Sequence, residues 1–582
     1  MLLVSYRIVS GEIIIIKNSP LIQTICHLRS IVEATKRTGP FLVIVPLSTC
    51  ENWNREFAKW APDLQTLLFY GMQEERDFIK KYEWNLHDLG PCSESTIKFD
   101  VVITSYEITI GEEALLKTLH WESIVIDEGH RLKSGNSQLQ RSMDKFRTNS
   151  KVLLTGTPIQ NTMEELWFLL NYLDPIEFDS LQEFLDNFQN VNQKDSMMTL
   201  HKLLGERMLR RTKNDVFKDM AGKTEQIIQV SLTPIQKQLY KAILTKNYMK
   251  LNVKNGVANS TGANVLVDLR KICNHPYLFS KQDLDAKLAE DGSYDVDAAV
   301  EVSGKLKIMV QMLGELKRTG NRVLIFTQFI KVLDILEDVL SFNGWSHRRL
   351  DGDTKLKDRQ EFIDDYNKQD SEVFAFLIST KAGSLGINLA TSDTVIFYDH
   401  DFNPHNDIQA LCRSHRIGQK RHVLIYRLVC KNSVEEKMID RQKEKMMLSH
   451  IVVEGGKNKQ NSVQNFWKNE LDEILKFGAE KLFCTDGKQD EEIVYSDADI
   501  KKILDREAAE KIYNQTKKDK AGQDGKILNN YMNEFKVATF NVRKKTKEEL
   551  EMEEALLRQV SKKIIIIILR RKTESIRNLS FD

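Results

Sequence analysis

The chain has 582 residues, of which 41% are hydrophobic and 29% are charged. This composition excludes a disordered or membrane-embedded class and indicates a soluble protein with substantial cores. Its length exceeds what one hydrophobic core usually supports, so two or three domains are expected. The 84 Lys and Arg residues balance 83 Asp and Glu residues, so any nucleic-acid binding must depend on local basic patches.

The seven cysteines are scattered and never form a Cys-x-x-Cys pair, which argues against a disulfide framework and a zinc site. A reducing compartment is therefore expected. The apolar runs at 13–16 and 564–569 are too short to span a membrane. We expect no targeting segment, no membrane span and no membrane partner.

Short apolar runs, each followed by polar or glycine residues and then by a longer helical pattern, occupy the chain from about residue 41 to residue 428. Because the runs are continuous and do not alternate with polar residues, they predict strands buried on both faces of parallel sheets. The fold class is therefore predicted to be α/β. The runs are Phe41–Val45, Val101–Thr104, Ser123–Ile126, Lys151–Leu154, Arg322–Phe326, Phe374–Ile378, Thr394–Tyr398 and Val423–Leu428.

The runs fall into two clusters, which a polar, helix-rich region from about 175 to 305 separates. Two sheets joined by a helical insertion, with a cleft between the sheets, is the simplest architecture. After about residue 444 the sequence becomes charged and helix-prone, with flexible breaks at 454–460 and 514–526. This composition indicates a regulatory or linking extension.

The stretch "SIVIDEGHRLK" places Asp127 and Glu128 directly after a predicted buried strand. Open α/β sheets bind their ligands at that edge. Two adjacent carboxylates there suit phosphoryl transfer, with Asp127 holding Mg²⁺ and Glu128 polarising the attacking water. An isolated Asp-Glu pair after a strand is more often a solvated turn, so this interpretation depends on the neighbouring motifs.

Small hydroxyl residues follow the next strand, in "KVLLTGTPIQN". Thr155, Gly156 and Thr157 would lie near the same sheet edge, where the hydroxyls could bind the water, the carboxylate or a phosphate. Taken alone, this stretch is typical of a simple turn in which Pro158 fixes the bend.

Two motifs in the second cluster have both a functional and a structural interpretation. In "STKAGSLGINL" (379–389), Gly383 and Gly386 would let the backbone approach a phosphate, although two such glycines usually mark a turn. In "QALCRSHRIGQ" (409–419), Arg413 and Arg416 are three residues apart and are predicted to share one helix face. They could reach a γ-phosphate as arginine fingers, or they could form a basic surface.

Together, seven ordered motifs resemble those of superfamily 2 helicase-like ATPases of the switch/sucrose-nonfermenting type. The block "LRKICNHPYL" (269–278) is also typical of that family. Beyond it, "ELDEILKFGAEKLF", "DADIKKILDR" and "NEFKVATF" resemble the segment after the motor in chromodomain-helicase-DNA-binding remodellers, the first subgroup especially. The seven motifs are "VPLST", "DEGH", "LTGTPIQN", "IFTQF", "RLDGDT", "STKAGSLGINL" and "HRIGQ".

The resemblance implies two RecA-like lobes, parallel sheets flanked by helices, with helical insertions and a charged helical C-terminal extension. It implies ATP and Mg²⁺ as cofactors, and double-stranded DNA, nucleosomes with their histones and remodelling-complex subunits as partners in the nucleus. The expected domains are a non-family N-terminus at 1–21, a first lobe at 22–215, a helical insertion at 216–300, a second lobe at 301–455 and an extension at 456–582.

The resemblance also assigns roles to individual residues. Asp127 and Glu128 match the Mg²⁺ and water-activating positions, and Arg413 and Arg416 match the arginine-finger motif. Cys412 and Ser414 replace residues that are often alanine in relatives, which we expect to have little effect. Coupling of ATP state to DNA is implied for Thr155, Gly156, Thr157, Gly383 and Gln409, and contact with the DNA backbone for Ser48, Thr49, Thr104, Ser105, Tyr106 and Lys381.

The chain departs from this family pattern at its phosphate loop. Relatives carry Gly-x-Gly-Lys-Thr before Ile-Gln-Thr-Ile, and Ile22–Ile25 stands here in register with Ser19, Pro20 and Leu21 before it. Ser19 replaces a glycine, Pro20 the phosphate-binding lysine and Leu21 the Mg²⁺-binding threonine. We therefore expect the Walker A loop to be missing and ATP hydrolysis by this chain to be impaired.

Two explanations for this departure remain open. The chain could be a true product that has lost its ATPase activity, or an incomplete reading of a longer gene; we favour the incomplete reading because residues 1–21 have no family character. The leading functional hypothesis is an ATP-dependent remodelling motor. The alternatives are a catalytically inactive DNA- or histone-binding chromatin protein and, less favoured because of "HRIGQ" and "NHPYL", an RNA helicase.

Overall fold

A computed structural model of the chain divides it into two compact units, one of residues 1–219 and 448–464 and the other of 220–447 and 465–582. Each unit is described by itself. The structure describes residues 2–5, 20–35, 39–84, 97–132, 137–156, 163–188, 194–209, 220–251, 258–278, 295–383, 387–416, 418–454, 491–520, 535–537 and 541–544.

The first unit contains a seven-stranded sheet in the order β3-β4-β2-β5-β6-β1-β7. The five strands from β3 to β6 in this order are parallel, whereas β1 runs antiparallel to β6 and β7 antiparallel to β1. The strands are β1 Leu2–Ser5, β2 Phe41–Val45, β3 Thr66–Phe69, β4 Val101–Ser105, β5 His120–Ile126, β6 Arg147–Leu154 and β7 Met208–Leu209.

Helices cover both faces of this sheet, which is why central strands such as β2 are apolar and buried along their whole length. Phe41 and Val43 pack with Trp53 and other residues in one core, while Leu42 and Ile44 pack in a second core on the opposite face. The α-helices are α1 Pro20–Thr35, α2 Cys50–Trp60, α3 Gln73–Tyr82, α4 Tyr106–Gly111, α5 Glu113–Leu116, α6 Gln138–Met143, α7 Met163–Leu173, α8 Leu181–Phe188 and α9 Lys194–Arg207, with 3₁₀ turns at Leu47–Thr49 and Gly129–Leu132.

The second unit contains a seven-stranded, fully parallel sheet in the order β10-β11-β9-β12-β13-β8-β15. A separate antiparallel pair joins β14 to β16. The strands are β8 Lys223–Val230, β9 Val323–Thr327, β10 His347–Leu350, β11 Ala375–Ser379, β12 Thr394–Phe397, β13 Val423–Cys430, β14 Glu491–Val494, β15 Phe535–Val537 and β16 Asn541–Lys544.

Polar residues begin several helices of this unit by accepting hydrogen bonds from free backbone N–H groups. Ser303 caps α13, Asn403 precedes the proline that opens α17, and Ser496 forms a capping box with Asp499 in α19. The helices that begin in this unit are α10 Pro234–Leu251, α11 Ala258–Asn274, α12 Val296–Val302, α13 Gly304–Arg318, α14 Ile330–Phe342, α15 Leu356–Asn367, α16 Thr380–Gly383, α17 Pro404–Leu411, α18 Val434–Glu454, α19 Asp497–Ile503 and α20 Arg506–Lys520, with a 3₁₀ turn at Pro276–Leu278.

The predicted α/β fold with two parallel sheets is confirmed, and every predicted run lies in an observed strand or extends at most one residue beyond it. The predicted helical insertion at 216–300 is not a separate layer, because β8 pairs along its whole length with β13 of the second sheet. Its sequence, KTEQIIQV, mixes polar and apolar residues and lacks the continuous run that identified the other strands. Among the described helices, none has the length and apolar character that crossing a membrane requires.

Candidate functional site

The carboxyl ends of four parallel strands in the first unit bring most of the predicted residues of that unit to one sheet edge. The strands β4, β2, β5 and β6 are neighbours in that order. Since parallel strands end at the same edge, the residues that follow them lie together there. These are Ser105 with Tyr106, the turn Leu47–Thr49, Asp127 with Glu128, and Thr155 with Gly156.

Asp127 is held rigidly at the end of β5. Its backbone N–H donates to the Ile44 carbonyl at 2.9 Å, and its own carbonyl accepts the Tyr106 hydroxyl at 2.6 Å. One carboxylate oxygen accepts Trp53 Nε1–H at 3.1 Å, and the other accepts the Glu128 N–H at 2.9 Å. The carboxylate is therefore oriented by two donors, as a metal ligand requires.

The environment of Asp127 opposes its ionisation. Burial, followed by the charge of Glu128, raises the Asp127 pKa to about 6, while the hydrogen bond from Trp53 opposes the rise. A nearby divalent cation would favour the ionised form. The sequence did not identify Trp53 as part of the site, because its spacing from Phe57 in α2 is also that of an ordinary core pair.

Glu128 adopts a backbone φ of +48°, which non-glycine residues rarely adopt. This conformation turns the chain sharply into the 3₁₀ turn that follows. The Glu128 carboxylate lies 3.3 Å from His130 Nδ1, so the histidine of "DEGH" contacts the predicted water-activating group. Strained backbone positions often lie at functional sites, which is consistent with the predicted role.

Three of the residues predicted to contact DNA have buried side chains. Thr104 donates its hydroxyl hydrogen to the Phe69 carbonyl at 2.7 Å, Ser105 caps α4 by accepting the Ile108 N–H, and Tyr106 donates to Asp127. Thr104, Ser105 and Tyr106 are at most 5% exposed. A direct contact of these side chains with DNA is a prediction that their burial does not favour; they support the sheet edge instead.

Four other predicted residues of the first unit lie shortly after strands β2 and β6. Ser48 and Thr49 lie half-buried in the 3₁₀ turn after β2. Thr155 is buried at the end of β6 and Gly156 is exposed. Thr157 lies outside the described residues.

In the second unit, Lys381 and Gly383 belong to the short helix that begins directly after β11. Lys381 is exposed, which fits a contact with a phosphate backbone. Gln409 lies in α17 and is half-buried, and its Nε2 group is buried without a hydrogen-bond partner among the residues that the structure describes. Such a donor is available for a ligand.

The expectation that Arg413 and Arg416 share a helix face is wrong. Helix α17 ends at Leu411, and residues 412–416 form consecutive turns, with the Arg413 N–H donating to Ala410 and the Arg416 N–H to Ser414. Both arginine side chains are half-buried. Their positions therefore depend on the contacts of this turn, hereafter the arginine turn (412–416), and not on a helix.

Ser414 has a structural role that the sequence did not reveal. It is fully buried, and its hydroxyl donates to the Ser392 carbonyl at 3.0 Å. The Ser392 hydroxyl in turn lies 2.8 Å from Ser414 Oγ. The expectation that a serine in place of alanine has little effect stays a prediction, which these hydrogen bonds do not favour.

A second polar network in this unit connects two of the sequence motifs. Arg270, from "LRKICNHPYL", donates to Gln328 Oε1 at 2.7 Å and to the His400 carbonyl at 2.6 Å. Asp399 accepts the Thr327 hydroxyl and the Gln328 N–H, both at 2.8 Å. The motif "IFTQF" is thus held by buried partners distant in sequence, which no local pattern could identify.

Two cysteines that are far apart in sequence come together with Glu435 in the second unit. Cys430 Sγ donates to the Cys273 carbonyl at 3.4 Å, and burial raises the pKa of the Cys430 thiol. Glu435 is already paired with Lys305 at 2.7 Å. The Cys430 thiol is thus hydrogen-bonded to the Cys273 backbone, and the Glu435 carboxylate is paired with a lysine.

Comparison with known proteins identifies two domains in the chain. Residues 20–278 match the SNF2-related domain, and residues 304–418 match the helicase conserved C-terminal domain. The first match includes the Asp127 and Glu128 site, and the second includes the arginine turn.

Three relatives are similar along most of this chain. The chromodomain-helicase-DNA-binding protein 3 homolog of Caenorhabditis elegans is 41% identical over 90% of this chain and 30% of its own length. In Arabidopsis thaliana, the CHD3-type chromatin-remodeling factor PICKLE is 41% identical over 89% of this chain and 37% of its own length, and the CHD3-type chromatin-remodeling factor CHR7 is 40% identical over 92% and 42%. The chain thus spans less than half the length of each of them.

These matches confirm the resemblance that the motifs indicated. The relatives named above are of the CHD3 type, and assignment to the first subgroup stays a prediction. The chain thus carries an SNF2-related domain and a helicase conserved C-terminal domain, the domains of DNA-dependent helicase-like ATPases, and it is similar to relatives of the CHD3 type along about nine tenths of its length.

Proposed function

We propose that this chain is the motor region of an ATP-dependent chromatin remodeller, which uses ATP to step along double-stranded DNA and shift nucleosomes in the nucleus. The observation that carries the proposal is the oriented Asp127 carboxylate beside Glu128 at the carboxyl end of β5. The names of two relatives support it, since both are called chromatin-remodeling factors. Nucleosomal histones and remodelling-complex subunits are the proposed protein partners.

Asp127 suits a Mg²⁺ ion that accompanies ATP. Each of its carboxylate oxygens accepts one hydrogen bond, which leaves a lone pair on each oxygen for the metal or for a water bound to it. Bound Mg²⁺ supplies positive charge that neutralises the phosphate oxygens during transfer. Glu128 would orient the attacking water and accept its proton, while His130, 3.3 Å away, would hold the Glu128 carboxylate.

We propose roles for the other residues that the sequence predicted. Arg413 and Arg416 would stabilise negative charge on the transferred phosphoryl group. Contacts with the DNA backbone would come from Ser48, Thr49 and Lys381, without sequence preference. The residues that would couple nucleotide state to DNA are Thr155, Gly156, Thr157, Gly383 and Gln409.

We further propose that this chain hydrolyses ATP poorly. Helix α1 begins at Pro20, which contributes no N–H group at a helix end of the kind that binds phosphate. The neighbouring strand β1 runs antiparallel to β6, so its last residue, Ser5, pairs with Lys151 and its first, Leu2, with Leu154. The end of β1 therefore lies away from Thr155, whereas a phosphate loop follows the carboxyl end of a parallel strand.

The expected size of the defect follows from the groups that are replaced. Losing two charge-assisted hydrogen bonds, at about 1.5–3 kcal/mol each, lowers ATP affinity roughly 10²–10⁴-fold. The replacement of the phosphate-binding groups also favours the second candidate function, a catalytically inactive chromatin protein that binds DNA or histones. DNA-stimulated phosphate release by a variant with Ser19→Gly, Pro20→Lys and Leu21→Thr distinguishes the two candidates, because only the motor should gain activity from the restored groups.

DNA binding tests the part of the proposal that both candidates share. We expect the chain to bind double-stranded DNA of unrelated sequences equally well, with an affinity that falls as salt rises. Lys381→Ala should weaken binding to every sequence about equally, whereas Lys368→Ala, also at an exposed position, should not. Tighter binding to RNA duplexes than to DNA, measured by electrophoretic mobility shift, would support the RNA-helicase alternative and overturn the proposal.

A further inference from the structure

The helix α20 packs against the second sheet although it lies beyond residue 418, where the match to the helicase C-terminal domain ends. Arg506, at the start of this helix, donates to the His422 carbonyl at 2.9 Å. It also donates to Asp393 Oδ1 at 2.8 Å and to Thr394 Oγ1 at 2.6 Å. One arginine thus connects the segment after the motor to the starts of β12 and β13.

The segment around Arg506 has anchors of its own. Ile493, Ile500, Ile503 and Ala509 are buried in the large core of the second unit. The Tyr426 hydroxyl donates to the Ile503 carbonyl at 3.0 Å. Removing the Arg506 side chain therefore leaves most contacts of the segment in place.

Asp393, the partner of Arg506, is buried and accepts hydrogen bonds from several residues. It is 1% exposed and accepts hydrogen bonds from Asn321 Nδ2 at 3.1 Å and from the Arg322 N–H at 3.3 Å. Its second cationic partner, Arg421, is 67% exposed at its side chain, so its ion pair is screened by solvent. The Arg506 side chain is 26% exposed, so solvent screens its ion pair with Asp393 less than it screens that of Arg421.

Ser392, which precedes Asp393, is hydrogen-bonded to the arginine turn. The Ser392 carbonyl accepts the Ser414 hydroxyl at 3.0 Å and Gln419 Nε2 at 2.6 Å. Ser414 lies between Arg413 and Arg416 in the chain. A contact path therefore runs from Arg506 through Asp393 and Ser392 to the turn that carries both arginines.

A second path begins on the same helix. The Tyr513 ring packs edge-on against His422, with 5.4 Å between centroids, and also against Gly222, where a Cβ would lie 2.6 Å from the tyrosine ring. The neighbouring residue, Ala221, accepts a hydrogen bond from His415 Nε2 at 2.8 Å. His415 belongs to the arginine turn, so α20 contacts the supports of the turn from two sides.

We propose that Arg506 is a positioning residue for Arg413 and Arg416, through which the segment after the motor controls the order of the arginine turn. Docking of α20 keeps the turn fixed, and release of α20 by a partner or by another part of the chain would loosen it. The consequence for catalysis rests on the proposed function, but the structural coupling does not.

Hydrogen exchange read by mass spectrometry tests this coupling without any need for ATP hydrolysis. In the full chain, Arg506→Ala should speed amide hydrogen exchange in peptides covering 389–392 and 411–419 by about tenfold or more. The reason is the loss of a charge-assisted hydrogen bond to Asp393. Arg506→Lys, which keeps the charge, should restore part of the protection. The matched control is Glu507→Ala, at the next and exposed position of α20, which should leave these peptides unchanged.

The pattern across peptides separates positioning from general loss of structure. Peptides from α14 (330–342), which Arg506 does not contact, should keep the exchange rates of the unmodified chain. Unchanged exchange at 411–419, or an equal increase in every peptide of the second unit, would overturn the proposal. Because ATP is absent from the experiment, a negative result here and a failure of the proposed ATPase function remain distinguishable.

Discussion

At the scale of residues, the site depends on partners that a sequence motif does not contain. The motif "DEGH" predicted Asp127 and Glu128, since their position after a buried strand is visible in the sequence. The motif did not predict that Trp53 and Tyr106 hold Asp127, because both contacts join residues more than 20 positions apart. Spacing along the chain identifies chemical groups, whereas their orientation depends on tertiary contacts.

The raised pKa of Asp127 predicts a pH dependence of stability. A carboxyl whose pKa is about 6 in the folded chain and about 4 in the unfolded chain binds more protons when folded, so stability falls as pH rises from about 4 to about 6. Asp127→Asn should remove this fall and raise the free energy of unfolding at pH 7 by about 1–3 kcal/mol. Urea unfolding of both proteins at pH 5 and pH 7 measures the difference.

The matched control for this pH experiment is Asp179→Asn, because Asp179 is exposed. This variant should follow the unmodified chain at both pH values. If Asp127→Asn destabilised the chain at pH 7, the carboxylate would be a net source of stability, and the description of its environment would be wrong.

At the scale of elements, local patterns predicted the parallel strands well and the turns poorly. Strands such as β2 and β12 are apolar along their whole length because both faces of the sheet are covered, so the pattern is unambiguous. Strand β8 was missed because KTEQIIQV lies toward the sheet edge and carries polar residues. The arginine turn was predicted as helix because spacing alone does not show that α17 ends at Leu411.

Lys305 illustrates how buried charges connect elements. Its ammonium group, at the start of α13, donates to Asn274 Oδ1 at 2.9 Å, to the Tyr398 carbonyl at 2.8 Å and to Glu435 at 2.7 Å. Burial disfavours the ammonium, but the charge and hydrogen bond of Glu435, together with the other negative groups nearby, outweigh burial and raise the Lys305 pKa. The lysine therefore stays charged and joins four elements of the second unit.

Removing only one partner of this buried pair should be costly. Lys305→Met leaves the Glu435 carboxylate buried without its cation and should lower the free energy of unfolding by about 3–5 kcal/mol. Adding Glu435→Gln to that variant should recover part of the loss, because the unpaired charge is gone. Urea unfolding measures both variants.

The exposed pair on the same helix provides the control for Lys305. Arg318 pairs with Glu315 at 2.6 Å while its side chain is 66% exposed, so Arg318→Met should have little effect. Equal losses from Lys305→Met and Arg318→Met would show that burial does not determine the contribution of this pair.

At the scale of the whole molecule, the chain combines the two domains of helicase-like ATPases with a sequence that we propose has lost its phosphate loop. The two matched domains cover residues 20–278 and 304–418, and relatives named as chromatin-remodeling factors are similar along about nine tenths of the chain. In the first unit most predicted chemical groups lie at the ends of parallel strands, whereas in the second unit Arg413 and Arg416 lie in the arginine turn after α17. The departure at Ser19, Pro20 and Leu21 concerns the groups that would bind phosphate, so the fold can persist while hydrolysis is lost.

DNA-stimulated phosphate release is the most direct test of whether the residues at 19–21 impair ATP hydrolysis. It is measured for the unmodified chain and for a variant with Ser19→Gly, Pro20→Lys and Leu21→Thr. The third sample is the same variant with Glu128→Gln. We expect the unmodified chain to release no more phosphate on DNA than a Glu128→Gln control. The triple substitution should raise release, and Glu128→Gln should abolish the gain. Fast release by the unmodified chain that requires Glu128, or no gain from the triple substitution, would contradict the account.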